Sequence, residues 1–195
     1  MMRLTLVVLL AVVALGAVPA LPASAEPSVI DDEVGDVWKS PDLFHWSRAE
    51  VTRNVDIRTF EVRNGIRQVV LRVEYVNLVA NRDQTSLTVW FRSDYARSRV
   101  LFAEFDRGYR NGWFDVTTMG TGEIDCIPKG EVNYRADTVR VVIPHACVAR
   151  GDWLEFDVTT SMGRGQSPIA FSDDPMTSGP NKVGWSDEVR RGRHR

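Results

Sequence analysis

With 24 Lys and Arg against 26 Asp and Glu in 195 residues, the chain is nearly neutral, so net charge gives no basis for binding nucleic acid or a membrane surface. Only two cysteines and three histidines are present, a poor supply for a zinc site. Twenty-one of the basic residues are Arg and three are Lys (Lys39, Lys129, Lys182), a bias that fits GC-rich coding better than phosphate recognition.

Residues 1–25 have the three-part order of a secretory signal: a basic start at Arg3, an apolar run Leu4–Val18, and Ala23-Ser24-Ala25 as a small-residue cleavage site. The run is about 15 residues, short of the roughly 20 that a spanning helix needs. Cleavage after Ala25 would leave a chain with 23 basic and 26 acidic residues, net −3, long enough for one domain with a core. No Cys stands just after the cleavage point, the first being Cys126, and no apolar tail closes the chain, so the expectation is a freely secreted, extracellular monomer with no membrane attachment.

Residues 26–54 are polar and irregular, and predict turns with one short strand near Val34–Lys39. From residue 55 the apolar positions alternate. Asp56–Arg63 and Ile66–Tyr75 flank Asn64-Gly65, a strong hairpin signal because both turn residues tolerate positive φ. Further strands are predicted at Ser86–Ser93, Arg99–Asp106, Trp113–Thr118, Glu131–Tyr134, Thr138–Ile143 and Trp153–Thr160. A single helical turn is expected around Cys147. Leu87/Val89/Phe91, Val139/Val141/Ile143 and Leu154/Phe156/Val158 are the expected inward faces, with Glu155, Asp157 and Thr159 facing water. Short, evenly spaced strands with one apolar face each, and no internal repeat, predict an all-β fold: an antiparallel, jelly-roll-like β-sandwich over residues 26–165. Residues 166–195 read as a covering segment and basic tail.

In an exported chain the two cysteines are most simply one disulfide, Cys126–Cys147, closing a loop of about 20 residues for about 3 kcal/mol. Two free thiols or a metal pair are the alternatives. Asp31-Asp32-Glu33-Val34-Gly35-Asp36 gathers four carboxylates around a glycine turn, and Asp173-Asp174 is a second acidic pair. Hard cations such as calcium take oxygens of this kind, although the spacing is not that of an EF-hand. Asp31, Asp32, Asp36, Asp173 and Asp174 are therefore candidate calcium ligands, against the reading of a solvated turn. Six tryptophans (38, 46, 90, 113, 153, 185) are many for this length. Trp90 and Trp113 are candidates for stacking a sugar ring, against core packing. His45 lies near Ser40 and Ser47, but no Gly-x-Ser-x-Gly elbow exists, so no catalytic residue is assigned. The terminal Arg190–Arg195 run can hold an anionic polymer or be a solvated tail.

Asp32-x-x-Gly35-Asp36, the Asp56-Ile57 strand opening, and Val132-Asn133-Tyr134-Arg135-Ala136-Asp137-Thr138-Val139 leading to Pro144-x-x-Cys147 resemble a group of secreted actinobacterial β-sandwich proteins with no assigned activity. More distantly, the layout is similar to DOMON-like and family-nine carbohydrate-binding modules. The Met and His pair of haem-binding DOMON domains is not matched. The resemblance implies a sandwich and, by analogy alone, a non-catalytic extracellular domain that binds glycan or cell-wall polymer, with structural calcium. A secreted hydrolase and an envelope or wall interaction protein are the alternative functions.

Overall fold

The computed structural model describes residues 26–49, 54–93, 96–121, 124–148, 151–163, 169–177, 179 and 182–192; the leader and Ala25 lie outside them. Among the described residues no helix is long and apolar enough to cross a membrane.

Two antiparallel sheets pack face to face, as the alternation predicted. The smaller has five strands in the order β1 (Ser28–Asp31), β4 (Ile57–Asn64), β5 (Gln68–Tyr75), β11 (Thr138–Pro144), β10 (Lys129–Asn133). The larger has nine. Eight run in the order β3 (Ser47–Arg48), β2 (Trp38–Ser40), β13 (Ala170–Asp173), β12 (Trp153–Gly163), β6 (Gln84–Ser93), β7 (Ala96–Phe105), β8 (Trp113–Thr118), β9 (Ile124–Cys126). The ninth, β14 (Val189–Arg190), pairs with β12. One short helix, α1 (His145–Val148), follows β11.

The inward positions follow the period of two. Val69, Leu71, Val73 and Tyr75 of β5 meet Leu87, Val89 and Phe91 of β6 and Leu154, Phe156 and Val158 of β12 in one continuous core. Aromatic pairs span the layers: Phe60 lies 5.1 Å from Phe156, and Tyr75 meets Phe105 edge-on at 6.2 Å. Rings offset or edge-on in this way gain about 1 kcal/mol beyond their buried area. A small second cluster (Val37, Val55, Met162, Phe171) fills the end near β2 and β13.

Three expectations are corrected. The Asn64-Gly65 hairpin exists, but its turn is longer: Asn64 pairs with Val69, and neither Asn64 nor Gly65 has positive φ. Asn64 is instead a buried connector, donating to the Val189 carbonyl at 2.9 Å and meeting His145 Nε2 at 3.1 Å. Residues 166–195 do more than cover: β13 is an interior strand between β12 and β2. Asp157 does not face water: it is buried, and Gly184 N–H donates to its carboxylate.

Cys126 and Cys147 are bonded, with Cα atoms 5.9 Å apart. The bond joins β9, at the edge of the larger sheet, to the helix that follows β11 of the smaller one.

Candidate cation centre and aromatic face

Two crossings between the sheets meet at the edge away from the disulfide. Residues 32–37 carry the chain from β1 to β2, and Gly35, at φ 87°, makes the bend that an L side chain resists. Asp56 ends the return crossing to β4, and Asp173 ends β13. One carboxylate oxygen from each of Asp32, Asp36 and Asp173 lies within 4.8 Å of the other two.

Backbone N–H groups fix these carboxylates. Asp56 Oδ2 accepts from Gly35 N–H at 2.9 Å, and Asp173 Oδ2 from Ile57 N–H at 2.7 Å. Asp173 Oδ1 accepts from its neighbour Asp174 N–H, and Asp32 Oδ1 from Glu33 N–H. Asp32 Oδ2, Asp36 Oδ1 and Asp56 Oδ1 are buried without a partner. Asp56 is fully buried and Asp36 is 8 % exposed. None of the four forms an ion pair with Lys or Arg among the described residues. Burial raises all four carboxyls above the usual 3.8, Asp56 to about 6; repulsion within the group adds at Asp32, Asp56 and Asp173, Glu33 adds at Asp36, and contact with the Asp173 carboxyl partly offsets the rise at Asp32 and Asp36. Arg48 opposes the shift at Asp36, and Arg58 does so at Asp56.

Of the five candidate calcium ligands, three are thus brought together and two are not. Asp31 is an exposed residue of β1, facing Thr59, because strand alternation turns it away from Asp32. Asp174 turns away from Asp173 for the same reason, and its carboxylate accepts from Met176 N–H and from the Thr177 hydroxyl. Asp56 was not singled out as a ligand. A lone acid at a strand opening carries no spacing signal.

The second feature is the outward face of the larger sheet. Register places Trp90 of β6 beside Val100 of β7, Phe102 of β7 beside Asp115 of β8, and Trp113 of β8 beside Glu104 of β7. Trp90, Phe102 and Trp113 therefore form a diagonal, one strand and two residues per step. At about 7–8 Å per step the line of rings is about 15 Å long. Trp113 is 48 % exposed, Phe102 is exposed, and Trp90 is half-buried. Beyond Trp90, the Arg92 guanidinium lies 4.2 Å from the Trp185 ring and pairs with Glu155. Asp115 sits beside this line, 5 % exposed, with Oδ1 unpartnered. The outward face of the smaller sheet differs: Glu61, Arg63, Val70, Arg72 and Arg140 line a shallow groove without an aromatic ring.

No protein-family model, curated protein or solved structure matches the chain.

The remaining catalytic candidate does not assemble. His45 Nδ1 bonds Asp42 Oδ2 at 2.6 Å, while the Ser40 hydroxyl donates to Asp42 Oδ1 at 3.3 Å. The carboxylate stands between imidazole and hydroxyl, so His45 cannot serve Ser40 as a base in this arrangement. His145 holds Asn64 and is structural. Arg190 belongs to β14, and residues 193–195 of the basic tail lie outside the described residues.

Proposed function

We propose that the chain is an exported, non-catalytic binding domain that takes an extracellular glycan along the Trp90–Phe102–Trp113 diagonal. The observation that carries this reading is the placement of the tryptophans. Trp is normally a core and interface residue, yet none of the six belongs to either buried cluster here. Flat, rigid rings spaced along a sheet can stack on the C–H faces of successive sugars. The Glu104 carboxylate beside them can accept from sugar hydroxyls. The signal-like leader and the disulfide support an oxidising, extracellular setting.

The test is retention on a panel of soluble and insoluble polysaccharides, by affinity electrophoresis and pull-down. Trp113→Ala and Phe102→Ala are each expected to lower affinity about tenfold, the scale of 1–2 kcal/mol per lost ring contact. Phe44→Ala, in the exposed loop before β3, should leave it unchanged. Retention that ignores both ring substitutions would remove the reading.

A further inference from the structure

We propose that Asp32, Asp36 and Asp173, backed by Asp56, bind a calcium ion that fastens the two sheets together at the edge opposite the disulfide.

The burial of the donors is what singles them out. An exposed acidic turn needs no cation, since water solvates it. Asp36 and Asp56 have lost that water, and each keeps one oxygen with no donor. Buried carboxylates are ordinarily paired with a cationic side chain or a metal. Arg48 and Arg58 act on Asp36 and Asp56 only through space: Arg48 stacks on Trp38 and Arg58 pairs with Glu74, so no described protein cation pairs with the cluster.

An all-carboxylate donor set calls for a hard cation, and calcium's adaptable oxygen shell suits donors held in place by the backbone. Calcium takes oxygens at about 2.3–2.6 Å, so two ligands across it stand about 4.6–5.2 Å apart. Magnesium at about 2.1 Å would draw them to about 4.2 Å and demands near-octahedral order. The Asp32, Asp36 and Asp173 oxygens all lie within 4.8 Å of one another, close enough for a single ion to reach all three. The scaffold is also set before any ion arrives. Gly35, Ile57 and Glu33 N–H groups each hold one oxygen of a carboxylate, and at Asp32 and Asp56 this leaves the other oxygen free. Asp36 adds its own unpartnered oxygen. The donors come from both sheets: Asp32 and Asp36 from the β1–β2 crossing, Asp56 from the start of β4, Asp173 from β13.

The test uses the chelator-dialysed protein without its leader, titrated with calcium chloride by calorimetry and followed by thermal unfolding. One site is expected, in the range of about 10⁻⁴–10⁻³ M or tighter that extracellular modules show. The unfolding midpoint should rise by about 5–10 °C once calcium reaches about a hundredfold its dissociation constant. Asp36→Asn should weaken binding at least tenfold. In chelator its midpoint should equal or exceed that of the wild type, because one of the repelling charges is gone. Asp32→Asn serves in its place if that variant does not fold. Asp31→Asn, one residue from the site but facing away, should bind as the wild type does. Absence of both heat and midpoint shift at about 5 mM calcium, well above that affinity range, overturns the proposal. So does an equal loss in Asp31→Asn, or binding of magnesium with none of calcium. Trp113→Ala leaves this readout untouched, so failure here is separable from failure of the glycan reading.

Discussion

Asp115 is a carboxyl buried on the outward side of a sheet. Loss of water, then the nearby Glu104 charge, raises it above the ordinary 3.8. A group raised in the folded state favours folding while protonated; that contribution is whole below the unfolded value and is lost as pH climbs through the folded one. Asp115→Asn should therefore unfold at a higher temperature than wild type at neutral pH, by on the order of 1 kcal/mol or about 2–4 °C. The gap should close as pH falls below the unfolded carboxyl value of about 3.9, where Asp115 is protonated in both states; a gap that is flat with pH would contradict the assignment. Asn64 works in the opposite sense. Asn64→Ala removes the buried hydrogen bonds to the Val189 carbonyl and to His145 Nε2 and should cost about 1–3 kcal/mol, read from urea unfolding. Individual residues were the least legible part of the sequence. The acidic runs drew attention to the right neighbourhood, but strand parity decides which of two adjacent acids points inward. Parity is not readable where the strand itself is only four residues long.

The long strands were legible because their apolar positions repeat often enough to fix a face. β5, β6, β11 and β12 lie where the alternation placed them, with the same side chains inward. The short strands were not. Ser28–Asp31, Ser47–Arg48 and Ala170–Asp173 hold too few residues, and too many polar ones, for a period to show. β13 is nevertheless an interior strand whose loss would uncover both β12 and β2. A chain ending at residue 165 is thus expected to aggregate or to lose its β signal in far-ultraviolet circular dichroism. A chain ending at Gly192 should match the full protein in both circular dichroism and size-exclusion volume, since β14 and the Gly192 bond to the Asn64 carbonyl are retained.

At the scale of the molecule, the disulfide and the acidic centre sit at opposite edges of the sandwich, and each joins one sheet to the other. Replacing both cysteines with Ala should cost about 3 kcal/mol, or about 6–12 °C in midpoint for a domain of this size. Because the two places share no contacts, that loss should be the same with calcium as with chelator, within about 0.5 kcal/mol. A clear dependence of one on the other would show that the edges communicate through the core.

With the proposed ion bound, both rims would be closed by chemistry that the surroundings supply. In a reducing compartment where calcium is scarce, the thiols would stay apart and the carboxylates would keep pushing on one another, leaving the layers to the core, the chain crossings and bonds such as Ile57 N–H to Asp173. On the proposed reading, such a polypeptide would be less stable before it reached a medium that oxidises sulfur and offers a hard ion than after.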